Sequence, residues 1–285
     1  MDQSNRTKPG SYYDEYGDRE WERLDRDFFH RLEWEGTIEH LETQLPPATE
    51  SDAPHVLDVG GGAGRYSIWL ARQGYAVTLA EPSETQRAIA REKVREHDVA
   101  DAVAIVDGDV RDLAFDAAAF DATCCLGGPL SHVLDAADRR QAARELDRVT
   151  APDGPVFVSV MGLLGIVLIT VQYAGRGEEA LDPSLVPALV REQDHTAELA
   201  RRHGMEPALF DCHFFRRAEL EDLLSAAGLT VETIAALEGV AATRRSHFDD
   251  LSEDDRDAIR EANDLLRTDR SIADLSPHML AVCRA

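Results

Sequence analysis

The 285-residue sequence predicts an α/β fold, a mostly parallel sheet with helices on both faces, and three observations carry that prediction. From His55 onward, short apolar runs alternate with helical patterns at a pace that means βαβ units. The first of those runs leads straight into a glycine-rich turn, Gly60-Gly-Gly-Ala-Gly64. With 44% hydrophobic residues, the chain is also long enough to bury a substantial core.

Taken in order, residues 18–45 place Trp21, Leu24, Phe28, Leu32, Ile38 and Leu41 at helical spacing, which predicts one or two amphipathic helices ended by Pro46-Pro47. Residues 55–59 read as a strand, and a helix follows the glycines through Gln73, stopped by Gly74. The alternation continues with strands at 76–80, 102–106, 120–126 and 156–161, and with helices at 83–97 and 136–149. Between Gly162 and His213 it lapses into an insertion holding an apolar run and one helix at about 185–203. It resumes with a helix at 217–227, a strand at 229–237, a helix near 253–267 and a last strand at 279–283. The expected organisation is an N-terminal arm and helical cap over 1–53, then one domain over 54–285 with a lid insertion at about 162–213.

Composition narrows the setting. Fifty-four acidic residues against 30 basic ones give a formal charge of −24, and Lys8 and Lys93 are the two lysines. The acid is spread over every helix, as in a protein adapted to a salt-rich, halophilic cytoplasm in which ions screen self-repulsion. Cys124, Cys125, Cys212 and Cys283 have no metal-type spacing, and adjacent cysteines on a strand point to opposite faces, so buried free thiols are expected. The polar N-terminus has no apolar core of the signal-peptide kind, and the run 156–173 reads as a strand plus a lid segment rather than a membrane span. A cytoplasmic protein without membrane insertion is expected, as a monomer or homodimer.

The loop Asp58-Val-Gly-Gly-Gly-Ala-Gly64 lacks the dinucleotide fingerprint, because Arg65 and Ser67 stand where its third glycine would fall. No Gly-Lys-Ser/Thr follows, so it is not a P-loop either. The second strand ends on Glu81, 21 residues beyond Gly60, where a carboxylate accepts the hydroxyls of a ribose. The third leads into Asp107-Gly-Asp109-Val110, which puts a second acid within reach of an adenine amino group. Glycine loop and two acids together describe an adenosine pocket without phosphates.

At this point the residues meet a known family. Val56-Leu-Asp-Val-Gly-Gly-Gly-Ala-Gly64 resembles motif I of class I S-adenosylmethionine-dependent methyltransferases. The likeness extends to Glu81, Gly108-Asp109, Phe120-Asp121, Arg148-Val-Thr-Ala-Pro-Asp-Gly154 and Phe215 to Leu229. It implies a Rossmann-like sheet of seven strands, the last antiparallel, and S-adenosyl-L-methionine as cofactor. It further implies that Gly60, Gly62 and Gly64 contact the methionine part, and that Asp58 orients its ammonium through the loop. Glu81 would hold the ribose and Asp109 the adenine amino group, while Val110 and Leu126 pack on the adenine.

Methyl transfer from a sulfonium is an in-line displacement, so positioning dominates and a base is needed only when the acceptor must lose a proton. The acceptor pocket is expected over the ends of the first, fourth and fifth strands, under the two cover segments. His132, His213 and Tyr13 (with Tyr16) are the candidate catalytic or wall residues. A small-molecule acceptor is the leading expectation, and the apolar run 163–171 hints at a hydrophobic one. A tRNA methyltransferase is the alternative enzyme. The run Cys124-Cys-Leu-Gly-Gly-Pro129 lacks the amide and aromatic that grip a flipped base, and no basic domain is appended. A non-catalytic S-adenosylmethionine-binding regulator is the other alternative. No metal site is expected.

Overall fold

The computed structural model describes residues 17, 19–49, 51–174, 181–205, 211–242 and 248–285. Tyr13 and Tyr16 lie outside them. The architecture is the Rossmann-like α/β fold that the sequence predicts, with seven strands in the order β3-β2-β1-β4-β5-β9-β8. These are β1 (His55–Val59), β2 (Ala76–Ala80), β3 (Val103–Val106), β4 (Ala122–Cys125), β5 (Pro155–Met161), β8 (Thr230–Ala236) and β9 (His278–Arg284). The first five pair in parallel, whereas β9 runs antiparallel to both β5 and β8. Strand order reverses between β1 and β4, the place where open sheets of this kind bind ligands.

Strand pleating divides the core in two. Leu57, Val59, Val156, Val158 and Cys125 join the cluster on one face. Val56, Phe157, Leu280, Val282 and Cys124 join the other. Because both faces are covered, the strands read as continuous apolar runs rather than as an alternation. All four cysteines are buried free thiols, and burial pushes Cys125 up to about 12.

The covering helices are α1 (Arg19–Glu22), α2 (Phe28–Gln44), α3 (Arg65–Arg72), α4 (Glu84–Glu96), α5 (Ala136–Val149), α9 (Arg217–Ala227), α10 (Glu253–Leu266) and α11 (Arg270–Leu275). Short polar side chains start several of them: Asp27 accepts the His30 amide, Ser83 that of Gln86, and Asp135 those of Ala137 and Asp138. The break between α1 and α2 falls at Asp27, which caps the longer helix.

The insertion departs from expectation. Its apolar run forms α6 (Leu163–Gln172), and no helix among the described residues is long and apolar enough to cross a membrane. Instead α6 is pressed onto the chain ahead of β9, where a Cβ on Gly165 would lie 2.2 Å from the Pro277 nitrogen. The single helix expected over 185–203 is two helices, α7 (Val186–Glu192) and α8 (Ala197–Arg202). Gln193 breaks them at φ +60°, Thr196 caps the second, and between them β6 (Asp194–His195) pairs with β7 (Cys212–His213).

Candidate active site

The site begins where β1 ends. The Gly60 amide donates to the Ala80 carbonyl at 2.7 Å, tying the glycine loop to the end of β2. Gly60 has φ +67°, and a Cβ there would lie 2.5 Å from Pro129 Cγ, so this position requires glycine twice over. Gly64, also left-handed, is the N-cap of α3. Beneath the loop Asp58 is fully buried: its Oδ2 accepts from Ser67 Oγ at 2.6 Å, and Oδ1 has no partner among the described residues. Burial pushes this carboxyl up to about 6, with the Ser67 bonds pulling the other way.

The loop faces a cavity of about 890 Å³ at the carboxyl ends of the strands. Gly60, Gly62, Glu81, Asp109, Val110, Leu126 and His132 all contribute to its wall. Asp58 and Gly64 stand behind the wall. Glu81 accepts the amides of Gly62 at 3.1 Å and Ser83 at 2.8 Å, and burial pushes it up to about 7 despite those bonds. Asp109 is forked by Arg111, whose hydrogen bonds hold its carboxyl below the ordinary carboxylate range.

The candidate histidines separate. His132, in the short turn Pro129–His132 after β4, lines the cavity and donates from Nδ1 to the Asp211 carbonyl at 3.3 Å. Burial drives it down to about 4, so it is neutral at pH 7. His213 is not in the cavity wall. Its Nδ1 meets Asp194 at 2.6 Å and its Nε2 meets Glu219 at 2.8 Å, and it packs edge-on to Phe215. Burial opposes its protonation, but the two carboxylates raise its affinity for the proton, and the ring braces the insertion against α9.

Several wall residues were not anticipated. Glu20, Arg23 and Leu24 reach over the cavity from the N-terminal segment, joined by Arg65 and Arg111. Arg23 donates to Glu33 from Nη1 and Nη2 at 2.6 and 3.0 Å, and from Nε to Glu20 at 3.3 Å. Burial alone would raise Glu33, but Arg23 and His278 bring it down to about 2. Arg65 pairs with Asp25 at 2.7 Å, bonds the Trp21 carbonyl at 2.9 Å and stands 4.8 Å over the Trp34 ring. Its place directly after Gly64 was a usable signal; the ten-residue gap from Arg23 to Glu33 was not. Among the described residues none from 162–213 lines this cavity, and the wall carries Glu20, Arg23, Arg65, Glu81, Glu84, Asp109 and Arg111. The apolar run therefore gives no ground for a hydrophobic acceptor.

Residues 56–154 match the family described as a methyltransferase domain, which spans β1 to the turn before β5. A stretch of 123 residues, 42% of the chain, is 32% identical to Methyltransferase GfsG of Streptomyces halstedii and covers 43% of that protein. Another of 144 residues, 50% of the chain, is 33% identical to the glycine/sarcosine N-methyltransferase of Parasynechococcus marenigrum, over 48% of its length. The matches thus span less than half of these relatives. A SAM-dependent methyltransferase from Methanosarcina mazei shares the fold at TM-score 0.57 and 16% identity, over 86% of this chain and 95% of that one.

Proposed function

We propose that the cavity binds S-adenosylmethionine and that the chain catalyses methyl transfer to a small-molecule acceptor. The observation that carries this reading is the convergence of the glycine loop, Glu81, Asp109, Val110 and Leu126 on one cavity at the β1/β4 reversal. The residues fit an adenosyl amino acid. Gly60 leaves a cradle that a Cβ would fill, and Asp58 keeps a buried carboxylate oxygen without a partner beneath the loop that would take the methionine end. Methyltransferases among the relatives, one named for glycine and sarcosine, support the same reading.

In this reading Glu81 takes the ribose hydroxyls. Their donation would favour its ionised form, which burial alone disfavours. Asp109 accepts from the adenine amino group, at the expense of part of its Arg111 fork. Val110 and Leu126 cover the base, and Asp58 orients the ammonium through the loop. His132 contributes a neutral wall after β4. S-adenosylmethionine supplies an electrophilic methyl group on a sulfonium, and the protein's share is to align an acceptor with it and exclude water.

Calorimetric titration in concentrated KCl with S-adenosylmethionine, S-adenosylhomocysteine and NAD, for the wild type and Glu81→Ala, tests the reading. Binding of both adenosyl compounds, lost in the variant and absent for NAD, is the expected result. Folded protein that binds neither would refute it.

A further inference from the structure

We propose that Glu20 receives the acceptor and that the acceptor is an amine, held as an ammonium ion and methylated as the free base. This rests on the methyl-transfer reading above.

The position comes first. Glu20 lies on α1 in the cavity wall, above the glycine loop, such that a Cβ on Gly62 would be 3.5 Å from its Cγ. That places it at the methionine end of the cavity, opposite the Asp109 end. The segment carrying it is fixed there: Gln86 Nε2 bonds the Gly17 carbonyl at 3.3 Å, and Arg65 holds both Trp21 and Asp25.

Charge gives the chemistry of the occupant. Glu20 Oε1 accepts Arg23 Nε at 3.3 Å, and Oε2 has no partner among the described residues. Arg23 cannot neutralise it fully, because its two terminal nitrogens are committed to Glu33, whose side chain is 1% exposed. Behind Glu33 stands His278, 3.6 Å from it and 2.5 Å from buried Glu238. Counting His278 as protonated, three carboxylates face two cations, and the member of the set that reaches the cavity is an anion. A carboxylate so placed, withdrawn from bulk water, calls for a cation beside it. Burial raises its affinity for a proton, which suits it to accept one.

An ammonium nitrogen has no lone pair and cannot attack a methyl group. The step is therefore as follows. The ammonium gives one proton to the Glu20 carboxylate, and the freed nitrogen pair forms a bond to the methyl carbon. The carbon–sulfur bond breaks with its electrons going to sulfur, leaving a neutral sulfide. The methylated nitrogen carries the positive charge, and Glu20 returns its proton to solvent. His132, neutral and poorly basic, is the weaker candidate for this task.

The test compares the wild type, Glu20→Gln and Glu20→Asp. S-adenosylhomocysteine binding, by calorimetry, is expected to agree within about threefold across the three and shows that each is folded. Turnover is then followed as S-adenosylhomocysteine release with glycine, benzylamine and n-butylamine, against glycolate, benzyl alcohol and n-butanol. The expected result is that an amine is methylated while its alcohol counterpart is not. Glu20→Gln should lower kcat about 100-fold or more, with Glu20→Asp recovering part of it. Turnover of an alcohol but no amine, of no compound at all, or equal amine turnover by Glu20→Gln would each overturn the proposal. So would a tenfold loss of S-adenosylmethionine binding with S-adenosylhomocysteine unaffected, which would put Glu20 at the sulfonium. Wild-type protein that binds neither adenosyl compound is a separate result, and it refutes the methyl-transfer reading itself.

Discussion

Replacing Glu81 by glutamine should stabilise the ligand-free protein in mild alkali and slightly destabilise it in acid. The side chain is 6% exposed, and burial lifts its carboxyl from 4.5 to about 7. Below the lower value the group is protonated in both the folded and the unfolded chain and favours neither. As pH rises the unfolded chain ionises first, so stability falls between the two values and the whole cost is present above the higher one. At about 1.4 kcal/mol for each pH step, that cost is about 3 kcal/mol. Glutamine avoids it but offers one oxygen to the two amides of Gly62 and Ser83, forfeiting about 1 kcal/mol. The net gain of about 2 kcal/mol should raise Tm by roughly 3 °C at about pH 8 for a chain of 285 residues, and near pH 4, where only the forfeited bond counts, the variant should lose about 1 kcal/mol. Thermal melts at fixed KCl, without and with S-adenosylmethionine, provide the assay. The order of the two proteins should reverse when the cofactor is added, because binding stabilises the wild type more. A variant less stable than the wild type at pH 8, or a gain independent of pH, would refute the reasoning.

Other consequences are simpler to check. Glu33→Ala strands the buried Arg23 guanidinium and should cost about 3–5 kcal/mol by denaturant titration. Glu198→Ala, which breaks an exposed pair with Arg201, should cost less than about 1 kcal/mol. His213 has a higher proton affinity in the fold than its ordinary value of 6.5. Its contribution should therefore be full below that value and disappear as pH rises through the raised one, a slope that His213→Gln should flatten in a pH series of denaturation curves. With a formal charge of −24, the protein should gain Tm as KCl is raised, and a flat response would remove the halophilic interpretation of its surface.

The fold was legible because its signals are local. Each strand between β1 and β5 is an apolar run bounded by turn residues, and Pro152-Asp-Gly-Pro155 announces β5 within a residue of where it starts. The glycine loop, Glu81 and Asp109 were legible for a related reason, since strand ends in such sheets converge on one place. What the sequence concealed is settled by long-range partners. Gln193 ends α7 because Asp194 pairs with His213, 19 residues on. Leu163–Val171 resembles a lid in sequence, yet Gly162 and Gly165 dock it against Ser276 and Pro277. Glu20 and Arg23 look like any charged pair on an amphipathic helix until Glu33 and His278 are brought beside them.

The insertion meets the cavity wall at the turn Pro129–His132, where β7 packs and His132 bonds the Asp211 carbonyl, while α6 packs on α11 and, through Ile169, on the Phe28–Leu32 face of α2, and His213 is braced on α9. The cavity wall at the strand ends and the insertion can accordingly diverge at different rates. An exchange of residues 162–213 between proteins of this fold that keeps the Asp211 contact should leave the cavity wall at the ends of β1 to β4 largely undisturbed, making this segment a natural graft point for engineering.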